Sequence, residues 1–226
     1  MRTMISRRPV RVGLFATAVV GLLCLGVTGC GGDGDEEAPD KAVTGTQLCG
    51  GDAVSVQASK ALKVITGSSR FGTTAEKSTV ARAATDLVEA LPVATGGRDD
   101  VCRIYTADGT PGFAIRVTWG LEGGPPTGTP APDFTVLKMG ERTLAAANRA
   151  SVRFACQSDR FPNSANAAHV AIGVERWGTP TEPEGDIEAL KDAYATVAHS
   201  FSLAMAEELR CEKNGGLPER PVLDPA

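Results

Sequence analysis

Histidine, tryptophan and tyrosine each occur only twice in 226 residues, and aromatic residues make up 5% of the chain. Scarce histidine leaves little material for acid–base work near neutral pH, where imidazole is the side chain that titrates. His169 and His199 belong to neither an H-x-x-x-H nor an H-E-x-x-H spacing, so they read as ordinary surface or part-buried histidines rather than metal ligands. No two cysteines are close enough for a C-x-x-C pair, which speaks against a zinc or redox motif. There is no G-x-S-x-G nucleophile elbow either.

Other catalytic patterns fail in the same way. Ser164-Ala165-Asn166 matches one short element of penicillin-recognising serine enzymes, but the S-x-x-K and K-T-G partners are missing. The glycines of GLEGGPPTGTP fit neither a phosphate loop nor a dinucleotide fingerprint. Asp33, Asp35, Glu36 and Glu37, and again Glu182, Glu184 and Asp186, are acidic runs that solvation explains without an ordered calcium site. No cofactor and no metal site is expected. A basic excess is also lacking, since the chain carries 23 Lys and Arg against 27 Asp and Glu. Nucleic-acid binding would need a basic footprint and is not expected.

What is present starts with an address. Arg2, Arg7, Arg8 and Arg11 precede an uncharged stretch, GLFATAVVGLLCLGVTG, from Gly13 to Gly29. A basic segment, an apolar run and small residues before a cut site are the physical signature of an export signal. Val27-Thr28-Gly29-Cys30 resembles the lipobox of bacterial lipoproteins. That resemblance implies a diacylglycerol on the Cys30 thiol and cleavage before Cys30, after which the protein meets the membrane through its N-terminal lipid. Acyl chains contribute about 0.8 kcal/mol per buried CH2, so two or three of them anchor stably. An uncleaved transmembrane helix and an ordinary thiol at Cys30 are the alternatives, and the Cys-Gly-Gly ending fits cleavage better. Ser6-Arg7-Arg8 resembles a twin-arginine signal, while Arg11 and Val12 depart from its continuation, leaving the export route open.

Without residues 1–29, which hold four arginines and no acid, 19 basic residues face 27 acidic ones, a formal charge of −8. Residues 30–46 read as the lipidated cysteine and a flexible acidic tether. Residues 47–216 read as one extracytoplasmic domain, long enough for a real core. Residues 217–226, LPERPVLDPA, read as an irregular tail. Once Cys24 leaves with the signal and Cys30 takes the lipid, Cys49, Cys102, Cys156 and Cys211 remain in an oxidising compartment. Three pairings are open to them, and Cys49–Cys102 with Cys156–Cys211 is preferred, each closing a loop of intermediate length.

Apolar spacing outlines the domain. Ala58, Ala61, Leu62 and Ile65 predict a helix stopped by Gly67, and Val80, Ala84, Leu87, Val88 and Leu91 predict a second, capped by Ser78 or Thr79 and ended by Pro92. Strands are predicted in VCRIYT, FAIRVTW, FTVLKM, SVRFAC and HVAIGVERW, with Phe113, Ile115, Val117 and Trp119 alternating most clearly. ERTLAAANRA suits a helix by composition and a hairpin by position. Ile187, Leu190, Tyr194, Val197, Ala198, Phe201, Met205 and Leu209 mark a long last helix capped by Asp186. Its polar face is acidic, which favours core packing over a lipid surface. Helices segregated on an antiparallel sheet predict an α+β two-layer sandwich, with about four to six strands covered by two or three helices.

The positions of the four cysteines (before the first helix, opening the first strand, ending SVRFAC and closing the last helix) resemble those of actinomycete cell-envelope lipoproteins. The alanine- and arginine-rich composition is similar too. The resemblance covers most of the mature chain, and it implies the α+β layout and the same disulfide pairing. It implies no activity. The residues offer one candidate site: Trp119-Gly120 and Trp177-Gly178 each end a predicted strand, and parallel strands would bring both indoles to one end near Arg116 and Arg176. Aromatic and arginine anchors often dominate binding surfaces. The expectation is a non-catalytic domain that binds an envelope protein or a small ligand, with a secreted hydrolase or other enzyme as the alternative.

Overall fold

The computed structural model describes residues 42–91, 97–162, 166–179 and 182–226. The signal, Cys30, residues 31–41 and Pro92 lie outside the described residues, as do Ser164 and Ala165. All the described residues belong to one compact unit, Ala38–Ala226.

Two short helices come first, α1 (Val56–Thr66) and α2 (Val80–Ala90). The Ser55 side chain accepts from the Ala58 amide and the Thr79 side chain from the Arg82 amide, each satisfying an amide that the first turn leaves orphaned. Gly67 closes α1 at φ 75°, the left-handed conformation that glycine adopts at little cost. Six strands follow: β1 (Arg98–Ile104), β2 (Ala114–Glu122), β3 (Thr135–Leu137), β4 (Arg142–Ala146), β5 (Arg149–Cys156) and β6 (Ala168–Trp177). The ambiguous ERTLAAANRA stretch is a hairpin of β4 and β5, with Ala145 opposite Ala150 on the core side. The last helix, α3 (Ile187–Glu208), opens on the Asp186 carboxylate, which accepts from the amides of Glu188 and Ala189.

The strands form one antiparallel sheet in the order β1-β2-β6-β5-β4-β3. This is an α+β domain with its helices on one face. Ile115, Val117 and Trp119 of β2, Val170, Ile172 and Val174 of β6, and Val152, Phe154 and Cys156 of β5 are all buried toward that layer. Each such apolar side chain contributes about 1.5–3 kcal/mol on burial. Tyr194, Val197, Ala198, Phe201 and Met205 of α3 join them in one buried cluster, as their spacing predicts, and Leu190 is buried in the first turn. Ile187 does not join the stripe and stays 43% exposed, because it sits in the first turn beside the Asp186 cap.

Residues 195–202 of α3 are buried without a break, polar side chains included. α1 packs on α3 rather than on the sheet, and the tail after α3 meets His199 through the Pro218 carbonyl. Ser200 joins the two, donating its hydroxyl to the Ala53 carbonyl and accepting from the Ser55 amide. Disulfides link Cys49 to Cys102 and Cys156 to Cys211. The first ties the segment before α1 to β1, and the second ties the end of β5 to the end of α3.

Both ends of the domain differ from the sequence expectation. The compact unit already includes Val43, whose amide and carbonyl pair with Phe71, so the described end of the expected tether is docked. Residues 217–226 are irregular, as expected, yet they pack on the domain. Leu217 is buried, Pro225 bridges to Leu137, and the Ala226 amide donates to the Val136 carbonyl. The tail thereby covers the edge strand β3, whose free backbone groups would otherwise invite pairing with another chain.

Candidate functional site

Side chains on successive strand positions alternate between faces, so the strands that build the core also build an opposite face, on which no helix of the described residues lies. The register fixes what stands there. Thr118, Gly173 and Ser151 lie side by side across β2, β6 and β5, and Gly120 and Ala171 lie level in the adjoining row. The row on one side holds Arg116, Glu175 and Arg149, and the row on the other holds Glu122 and His169. Arg98 of β1 and Arg153 of β5 close the Gly120–Ala171 row from its two ends. Five small residues in the middle of long side chains leave a trough of about 210 Å³.

The loop between β2 and β3 supplies a wall. Arg142 donates to the carbonyls of Pro126 and Thr127, and Arg149 ion-pairs with Asp133 at 2.8 Å while stacking 4.7 Å from the Phe134 ring. These contacts hold the Pro/Gly loop against the open face, with Phe134 lining the trough. The rim is largely self-neutralised. Arg116 pairs with Asp100 at 2.6 Å and Glu175 at 3.3 Å, Arg103 with Asp100 at 2.8 Å, and Arg153 with Glu122 at 3.4 Å. Such part-exposed pairs contribute only about 0–1 kcal/mol each to stability. Their effect is to hold long side chains in place around the trough.

The four residues singled out in the sequence separate into two pairs. Arg116 and Trp177 are together on the open face, the guanidinium carbon 4.4 Å from the indole centroid, with Arg103 on the same ring at 5.5 Å. Trp177 is 44% exposed and forms one side of a shallow cavity of about 250 Å³ with Tyr105, Pro111 and Phe113. Trp119 and Arg176 face the other way. Trp119 is 4% exposed, packed toward the helical layer, and its Nε1 is buried without a hydrogen-bond partner among the described residues. Arg176 stacks 4.1 Å from the Phe113 ring; burial raises the pKa of the Tyr194 hydroxyl, and the charge of Arg176 opposes part of that rise.

The two indoles are therefore not brought together, and the condition set for them fails. β2 and β6 run antiparallel, with Trp119 opposite Ile172 and Trp177 opposite Ala114. The offset of five residues is about 16 Å along the strand, and being odd it puts the rings on opposite faces. Trp119 is the core-edge plug that strand-end tryptophans often are. The trough itself escaped the sequence reading. Its floor comes from three separate stretches whose alignment depends on register, although glycine at the outward positions 120 and 173 was a visible signal of close approach.

Other cavities are less suggestive. One of about 830 Å³ lies between the start of α2 and the end of α3. Thr79 there caps α2, and the Arg160 guanidinium donates to the Glu208 carbonyl. A smaller one contains Ser200 and His199, but Ser200 is committed to Ala53. His199 meets the Pro218 carbonyl at 2.8 Å through Nε2, and burial lowers its pKa below the ordinary value. On the open face His169 Nδ1 lies 2.9 Å from both Glu141 carboxylate oxygens. Among the described residues no hydroxyl or thiol is hydrogen-bonded to either imidazole, and no three His, Cys, Asp or Glu side chains converge as a metal site. No described helix is long and apolar enough to cross a membrane. No family model, curated protein or solved structure matches the chain, so any functional reading rests on the geometry and the residues.

Proposed function

We propose that the chain is a membrane-tethered, extracytoplasmic binding domain without catalytic activity, which meets a small envelope ligand, or a projecting group of an envelope protein, on the open face of its sheet. The observation that carries this reading is the trough. A row of Thr118, Gly173 and Ser151 beside Gly120 and Ala171 forgoes side-chain packing at the centre of a six-stranded sheet. Glycine and alanine there give nothing to the strands and leave room for something else. Arg116, clamped by Asp100 and Glu175, joins the trough to the exposed Trp177, so the two make one continuous surface.

The tether follows from the lipobox-like Val27-Thr28-Gly29-Cys30. Cys30→Ala is expected to move the protein from the membrane fraction to the soluble fraction, and a variant that stays with the membrane refutes the anchor. Recognition is tested by affinity capture from envelope extract with the full chain. Trp177→Ala and Arg116→Gln are expected to lose the captured species, while Glu188→Ala at the exposed start of α3 keeps it. A hydrolase that used histidine to activate a nucleophile would need a hydroxyl or thiol at His169 or His199, and the hydrogen bonds of both rings lie elsewhere.

A further inference from the structure

From the trough's charge balance and its free donors, we infer that it takes a small organic monoanion, a carboxylate on a ring-sized body, with Arg98 as the principal charge contact. The inference rests on the binding reading above and adds the chemistry of the ligand. Following each ion pair around the trough to its end gives five arginines (98, 103, 116, 149 and 153) and four carboxylates (Asp100, Glu122, Asp133 and Glu175). One positive charge is left over. Every arginine in the set but Arg98 is in an ion pair, and Arg98 has neither an ion-pair nor a hydrogen-bond partner among the described residues. Its Nε lies 3.7 Å from where a Cβ on Gly120 would stand, directly beside the floor.

The floor supplies matching polarity. The hydroxyls of Thr118 and Ser151 flank Gly173 and make no side-chain hydrogen bond among the described residues. Both residues line the trough and both are only partly buried. A guanidinium fork beside two free hydroxyls suits a carboxylate, which accepts from both kinds of donor. Glu122 and Glu175 on the same rim disfavour a second negative charge. The remaining wall is the Phe134 ring and the floor is mostly Gly and Ala, so the body beyond the carboxylate is apolar. A cavity of about 150 Å³ already holds benzene, and this one is about 210 Å³.

The probes are benzoate, its neutral amide benzamide, the cation benzamidine and inorganic phosphate, followed by ligand-detected NMR on the full chain. Benzoate is expected to bind in the millimolar range or tighter, with benzamide at least about tenfold weaker, as the loss of a charge-assisted contact implies. Arg98→Gln should bring benzoate down to the benzamide level, and Arg98→Lys should restore part of the difference. Gly120→Val should abolish binding by filling the trough, and matched urea midpoints exclude unfolding as the cause. If benzamide binds as well as benzoate and Gly120→Val still abolishes both, the trough binds ligands but the anion assignment is wrong. Benzoate binding that ignores Gly120→Val, displacement by phosphate as strong as by benzoate itself, tighter binding of benzamidine, or no benzoate binding in the millimolar range would each overturn the inference. The capture experiment with Trp177→Ala and Arg116→Gln is unaffected by these outcomes, so the two proposals fail separately.

Discussion

The two faces of the sheet are written by the same strands and do opposite things. On the helical face β2 sets Ile115, Val117, Trp119 and Leu121, all buried, whereas on the open face it sets Arg116, Thr118, Gly120 and Glu122. In β6 the covered face carries Val170, Ile172 and Val174, while His169, Ala171, Gly173 and Glu175 stand opposite. Volume is placed where it stabilises and withheld where a ligand would need room. On the proposed binding function, stability and recognition are separable in this domain: emptying the first face should unfold it, and filling the second should only block it.

The covered face should show the largest effects. Phe154→Ala, at a fully buried position, is expected to cost about 3–5 kcal/mol in urea unfolding. A loss below about 1 kcal/mol would mean that the helical layer is not the core. Replacing Cys156 and Cys211 together by alanine removes the link between β5 and α3 and is expected to cost about 2–4 kcal/mol. An unchanged midpoint would break the view that this bridge secures the helical layer.

A smaller effect is expected from pH. Burial lowers the His199 pKa below its ordinary 6.5, so the unfolded chain takes up the proton first. The stability gained by burying a neutral ring is complete above 6.5 and is lost as pH falls through the folded value. Asp192 works in the opposite sense, its pKa raised by burial and by Glu188 and Asp186. The informative quantity is therefore the difference between wild type and His199→Gln, which should narrow as pH falls from 7.5 to 5. A constant difference would show that His199 is not held neutral. Smallest of all should be Gly120→Val. Nothing lies closer than 3.7 Å to the added Cβ, and the stability change should stay within about 0.5 kcal/mol. Gly173→Ala should cost more, because its Cβ would come 2.8 Å from the Thr118 hydroxyl.

Sequence periodicity was enough for elements that repeat one rule locally. The caps at Thr79 and Asp186, the stop at Gly67 and the apolar stripe of α3 from Leu190 to Met205 were all readable. The β4–β5 hairpin was not, because Ala145, Ala146, Ala147 and Ala150 suit a helix and a strand alike. The buried polar run through Thr196, His199, Ser200 and Ser202 is unreadable for another reason, since it depends on the packing of α1 and of the C-terminal tail on α3. Residue types alone group Trp119 and Trp177 with Arg116 and Arg176, but the grouping depends on parallel strands, and the antiparallel pairing of β2 with β6 leaves only Arg116 and Trp177 together on the open face. Register, the relation that makes Thr118, Gly173 and Ser151 neighbours, is a property of the folded sheet and of no single segment.

The separation of the two faces is tested most directly by where the domain can be cross-linked to what it binds. A photoreactive phenylalanine analogue in place of Phe134 keeps a ring on the trough wall, and one at Glu188, 74% exposed on α3, samples the helical side. With the full chain in intact cells, adducts found by mass spectrometry should form at position 134 and be absent at position 188. Adducts at position 188 with none at 134 would place recognition on the helical face and contradict the account.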